Sequence, residues 1–170
     1  MAPGWHITTK PAATMYDPAA TAQGNYALET VQILFPGTSL SGYGFFLGGK
    51  NLETEASPEY TAFLIRRDGH AMIERRTGKA ATVVVPWTAS AAIKQVAGNN
   101  TVRNVLRVSV ERDSVIFEVN GGRIAALPRE GLPTDGHFGF RTGADINLHI
   151  TTLDHTRRLA PVPARRPSEE

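Results

Sequence analysis

Apolar and polar residues alternate along most of this chain, and the alternation is broken by turn dipeptides rather than by helical repeats. Asn104–Val119 carries the pattern best. A two-residue loop at Arg112-Asp113 pairs Val110 with Val115, Val108 with Phe117 and Leu106 with Val119, so apolar meets apolar at each step. Arg107, Ser109, Glu111, Ser114 and Glu118 fall on the opposite face with Ile116, which predicts a hairpin with one wet face. Asn120-Gly121 then turns the chain into Gly122–Leu127 and sets Glu118 opposite Arg123. Asn-Gly and Asp-Gly suit type I′ turns because both central residues need positive φ.

The Tyr60–Gly78 segment predicts a second hairpin about Asp68-Gly69, but both its faces are apolar in the middle. A two-residue turn pairs Arg67 with His70, Ile65 with Met72 and Phe63 with Glu74. That register puts Tyr60, Ala62, Leu64, Ala71 and Ile73 on one face with Arg66 and Arg75. Tyr43–Leu47 shows the same two-sided character, so these strands are expected at the centre of a sheet, one face in the core and the other covered by loops or lining a groove.

Further strands are predicted at Trp5–Thr9, Tyr26–Phe35, Thr82–Trp87, His137–Arg141 and Ile146–Leu153. Pro11, Asp17-Pro18 and Gly24-Asn25 mark a loop after the first strand. Asn51–Glu59 reads as an acidic loop, Thr88–Ile93 as one helical turn capped by Thr88 or Ser90, and Ala97–Asn100 as a turn. Phe138 and Phe140 must share a face with Ile146 and Leu148. If their strands are neighbours, His137 lies opposite His149. The class is antiparallel all-β.

At 170 residues one domain is expected, spanning 1–156, with 157–170 an Arg/Pro-rich, disordered tail. The net charge of +2 resides in that tail, where Arg157, Arg158, Arg165 and Arg166 outweigh Glu169 and Glu170. The remainder is charge-balanced, which argues against a nucleic-acid partner, since a phosphate-binding domain carries a basic face of its own. With no cysteine, disulfides, thiol catalysis and Cys-based zinc sites are excluded. No apolar run reaches the length of a membrane span, and no signal peptide is visible before Trp5.

The order of motifs, from a Trp strand through YGFFLGG, YTAFLIRRDG and VLRVSVERDSVIFEVNGGRI to GHFGFRTG and a last alternating strand, resembles the concanavalin A-like lectin/glucanase superfamily. Within it, the likeness is to bacterial domains grouped with laminin G-like and family-16-glucanase-like modules, over about Trp5 to Asp154. The resemblance implies a two-sheet antiparallel jelly-roll sandwich, a carbohydrate partner and an extracytoplasmic or secreted setting. It raises the prior for carbohydrate without specifying an activity. The glucanase branch presents its carboxylates at alternate positions of one strand. Here Asp113 falls in a turn and Glu118 on the return strand from Glu111, so that spacing is missing.

The expected function is therefore a non-catalytic glycan-binding or surface-interaction module. The alternatives are a glycoside hydrolase with an unfamiliar site and a structural assembly domain. Tyr43, Tyr60, Trp87 and Phe63 offer rings for a sugar, with Arg66 and Arg75 as donors, although large aromatics such as Phe63 and Trp87 more often belong to a core. His6, His137 and His149 could gather on one outer face and hold zinc or copper if three strands are adjacent. Asp17, Asp145 and Glu53 are the loop carboxylates a calcium ion would use. Nothing in the sequence favours any of these metals, and nothing speaks to the oligomeric state.

Overall fold

The computed structural model describes residues 3–158 except Glu55 and Ala97. Its strands are β1 (Trp5–Thr9), β2 (Ala13–Ala22), β3 (Tyr26–Leu34), β4 (Tyr43–Lys50), β5 (Glu59–Ile65), β6 (His70–Thr77), β7 (Ala80–Ala89), β8 (Val102–Val110), β9 (Ser114–Val119), β10 (Gly122–Pro128), β11 (Gly136–Thr142) and β12 (Ile146–Arg157). They form two antiparallel six-stranded sheets in the orders β1-β12-β3-β8-β9-β10 and β2-β11-β4-β5-β6-β7. This is the jelly-roll sandwich expected from the sequence.

The core lies between the sheets. One contributes Tyr26, Leu28, Leu106, Val108, Val110, Val115, Phe117, Leu148 and Ile150, and the other contributes Phe45, Leu47, Phe63, Ile65, Ile73, Phe138 and Phe140, all buried. The β8–β9 register pairs Val110 with Val115, Val108 with Phe117 and Leu106 with Val119. Glu118 meets Arg123 across the next turn. Asn120 (φ 50°) and Gly121 (φ 81°) both adopt the left-handed region that a type I′ turn demands. Asn120 also ties this turn to its surroundings. Its amide donates to the Ala92 carbonyl at 2.8 Å and to Asn104 Oδ1 at 2.7 Å, and its oxygen accepts from the Val105 amide at 2.9 Å. A Cβ on Gly121 would meet no atom within 4 Å, so Gly121→Val tests backbone strain alone. We expect a loss of about 1–2 kcal/mol in chemical denaturation; unchanged stability would contradict the turn.

Four expectations are corrected. First, Asp68-Gly69 belongs to a three-residue loop. Arg66 N–H donates to the His70 carbonyl at 2.9 Å and Gly69 N–H to the Arg66 carbonyl at 3.1 Å, with positive φ at Gly69 (81°) but not at Asp68. Such a loop combines a type I turn with a left-handed glycine. It pairs Ile65 with Ala71, Leu64 with Met72, Phe63 with Ile73, Thr61 with Arg75 and Tyr60 with Arg76. The return strand is thus shifted by one residue from the expected register, and each of its side chains changes face.

Second, the Pro11–Asn25 loop contains β2, an edge strand. Pro18 is accommodated because His137 pairs with Thr21 while Gly139 pairs with Tyr16, leaving a bulge at residues 17–20. Third, Thr88–Ile93 forms no helical turn. β7 runs to Ala89, and Ser90 to Ile93 make a turn pinned by Ser90 N–H to the Gly69 carbonyl at 3.0 Å, with Ile93 plugged into the core. Fourth, β12 extends to Arg157, which pairs with Tyr26, and Arg158 N–H donates to the Asn25 carbonyl at 3.0 Å. The expected tail from residue 159 on lies outside the described residues.

Candidate functional site

The outer face of the β2–β7 sheet carries a second apolar cluster, separate from the core. Phe46, Tyr60, Ala62, Leu64 and Met72 are buried there, with Tyr16, Leu52 and Trp87 packed against them. The apolar residues on both sides of β4 and β5 have this cause. One set faces the core and the other lies beneath Leu52 of the acidic loop, Tyr16 of β2 and Trp87 of β7.

Coverage is incomplete. Between the residue 51–58 loop and the β2–β11 side of the sheet lies a groove of about 520 Å³. It is lined by Ala12, Thr14, Leu52, Glu53, Thr54, Pro58, Tyr60, Arg76, Lys79 and Arg141. Each contributor is placed by register. Arg141 on β11 pairs with Thr14 on β2 and with Gly44 on β4, so its side chain crosses a position that has none. Tyr60 on β5 pairs with Arg76 on β6 and forms the floor, 3% exposed, its ring 5.5 Å from that of Phe46.

The expected ligand residues divide accordingly. Tyr60 lines the groove. Tyr43 does not, because it is fully buried between the sheets and out of reach of any ligand. Phe63 is likewise a core side chain. Arg75 does not share a face with Tyr60, a consequence of the one-residue register shift. It lies opposite Thr61, and its Nη1 donates to the Gly131 carbonyl at 2.9 Å, while Thr61 Oγ1 donates to Pro133 O at 2.8 Å. Together they hold the loop before β11 against the sheet.

Arg66 is on the outer face but engaged. Its Nε and Nη2 grip the two Asp68 oxygens at 3.0 and 2.8 Å, and its guanidinium sits 4.6 Å from the centre of the Trp87 ring. Burial would raise the Asp68 carboxyl, but hydrogen bonds and charge from Arg66, with His70 adding to them, hold it below the usual carboxylate range. Trp87 therefore has one ring face occupied, and its edge is fitted against Gly42, where an added Cβ would approach to 2.8 Å. The apolar pattern alone does not single out Arg76, Lys79 and Arg141. Register was the missing information, since Arg76 takes the place expected for Arg75.

The histidines separate. His6 and His149 are cross-strand partners on β1 and β12, with ring centres 6.4 Å apart. His137 belongs to the other sheet, where Nδ1 donates to the Ala20 carbonyl at 3.0 Å and the ring lies 5.3 Å from Tyr16. The trio required β11 and β12 to be neighbours, but they lie in different sheets, and Phe138, Phe140, Ile146 and Leu148 enter the one core from opposite sides. Among the described residues no three His, Cys, Asp or Glu side chains come together, and Asp17, Asp145 and Glu53 stand on separate elements.

A second cleft, about 590 Å³, opens between edge strands β1 and β2. Trp5, 54% exposed, lies at its mouth and Met15, Phe138, Phe140 and Leu153 form its walls.

No family model and no curated protein matches this chain. Solved structures do match it in fold. The carbohydrate-binding module CBM66 from Bacillus subtilis superposes with a TM-score of 0.67 at 9% identity, over 91% of this chain and 92% of that one. Sheep galectin-11 gives 0.57 at 10% identity, covering 91% and 98%. The laminarinase catalytic domain from Thermotoga maritima gives 0.60 at 12% identity, covering 90% and 76%. At such identities the likeness shows the fold alone, a two-sheet antiparallel jelly-roll sandwich.

Proposed function

We propose that this protein is a non-catalytic carbohydrate-binding module that holds an oligosaccharide in the groove over Tyr60. The observation that carries the reading is the groove itself. It is a preformed depression on the outer sheet face, walled by a loop, with an aromatic floor and hydrogen-bonding side chains converging from β2, β5, β6 and β11. Its fold neighbours named as a carbohydrate-binding module, a galectin and a laminarinase support the ligand class. A retaining hydrolase would need two carboxyl groups about 5–5.5 Å apart. Glu53 is the one carboxylate lining the groove among the described residues, beside three cations, and that composition supports holding a ligand rather than cleaving it.

A glycan array followed by NMR titration of the best binder tests the proposal. Amide shifts should concentrate at Thr14, Glu53, Thr54, Tyr60, Arg76 and Arg141. Shifts concentrated at Trp5, Met15 and Phe138 would transfer the function to the second cleft. Absence of binding to any glycan would overturn it.

A further inference from the structure

The charge of the groove goes beyond what a neutral sugar needs. Residues 1–156 are charge-balanced, yet among the described residues the groove sets Arg76, Lys79 and Arg141 against Glu53 alone. Elsewhere several arginines have a carboxylate partner, while Arg67 and Arg75 bond backbone carbonyls. Arg66 pairs with Asp68, Arg107 with Glu29, Arg129 with Asp135 and Arg158 with Glu111. Among the described residues no carboxylate lies within ion-pair reach of the three groove cations. Glu74 is on the same sheet face but stands opposite Ala62 and Val83, outside the groove lining.

The guanidinium groups are held without being used up. Arg76 Nε donates to the Gly78 carbonyl at 3.2 Å, and this fixes the arm while its two terminal nitrogens make no hydrogen bond among the described residues. Among the described residues Arg141 donates a single long hydrogen bond, Nη1 to the Thr142 carbonyl at 3.4 Å. Both side chains are half-buried, so their stems are ordered against the sheet. An arginine fork fixed in this way is suited to a two-pronged grip on a carboxylate or sulfate.

Spacing narrows the ligand. β11 and β6 are separated by β4 and β5, about 14 Å across the sheet, and Arg141 lines up through Gly44 and Leu64 with Met72, four residues or about 13 Å along β6 from Arg76, so the two backbones stand about 19 Å apart. A lone small anion satisfies one end. An extended chain carrying repeated acidic groups satisfies both, with Lys79 beside Arg76 and Glu53 available to accept sugar hydroxyl protons.

We propose that the groove selects acidic oligosaccharides, with carboxylate or sulfate groups along the chain, over neutral ones of the same length. The proposal rests on the glycan-binding reading and refines it. The test is calorimetric titration of the wild type and an Arg76→Gln/Arg141→Gln variant, with folding checked by circular dichroism. The ligands are an oligogalacturonate, a sulfated galactan oligosaccharide, a neutral galacto-oligosaccharide of equal length, and polyglutamate. At least one acidic sugar should bind about tenfold or more tighter than the neutral one, the preference should shrink in the variant, and added salt should weaken it. Which acidic sugar binds more tightly identifies the group recognised. Three results overturn the selectivity while leaving the glycan reading intact: equal binding of the neutral sugar, an unchanged preference in the variant, or polyglutamate binding as tightly as the acidic sugars. Binding to none of the sugars, in the titrations and on the array, would remove both.

Discussion

Phe63→Ala should destabilise the protein by about 3–5 kcal/mol, a larger loss than Gly121→Val or Tyr43→Phe should cause. Phe63 is fully buried at the centre of β5. Its ring meets Phe45 of the adjacent strand edge-on at 5.8 Å and Phe117 of the opposite sheet at 5.3 Å. Truncation removes apolar contact with both layers at one point and leaves a space that neither sheet can close without shifting a strand. Edge-to-face pairing adds to the loss beyond area alone. Denaturant unfolding should show a lower midpoint with a similar slope. A loss below about 1 kcal/mol would mean that the core repacks around the site, contrary to the interdigitation inferred for a sandwich of this kind.

The two hairpins differ in how much of their structure the sequence discloses, and the difference is physical. In β8–β9 one face is apolar and the other polar, so a slip of one residue would expose Val108 and Phe117. Only one register survives. In β5–β6 both faces are apolar at the centre, because the outer face is itself covered. A slip then costs nothing that the pattern can register, and loop length becomes the sole guide. That ambiguity exchanged Arg75 for Arg76 and with it displaced the candidate site. A similar limit applied to the last strands. Phe138, Phe140, Ile146 and Leu148 do enter the same core, but an apolar match does not say whether residues stand side by side in one sheet or in facing sheets. His137 was misplaced for that reason. β2 was hidden by Pro18, which normally argues against a strand and here occupies a bulge on an edge. Tyr60 was found because its face is apolar at alternate positions. Arg141 was not, since its partner Gly44 offers no side chain to advertise a groove.

Alkaline unfolding should set in between about pH 10 and pH 12, and Tyr43 should contribute to it. The Tyr43 phenol lies between the sheets, and burial pushes its pKa up to about 12, with Asn104 and Arg67 opposing the rise. Tyr26 is shifted in the same direction, again chiefly by burial and further by the Asp135 charge, and its hydroxyl donates to the Thr134 carbonyl. The sign follows from proton uptake. Above the ordinary tyrosine value the unfolded chain loses its phenolic proton while the folded chain keeps it, so stability is complete below about pH 10 and falls as pH rises. A displacement of two units corresponds to roughly 3 kcal/mol at the upper end of that window. Tyr43→Phe should flatten the decline, and it removes a buried hydroxyl that lies near the Asn104 side chain without meeting hydrogen-bond geometry to it or to any other described residue. At pH 7 the same substitution should therefore change stability by less than about 1 kcal/mol, because the hydroxyl lost was unpaired. Melting curves of the two proteins between pH 7 and pH 12 provide the check. If they run parallel throughout, Tyr43 has no part in the alkaline transition; curves that diverge only above pH 10 place the titrating proton on its ring.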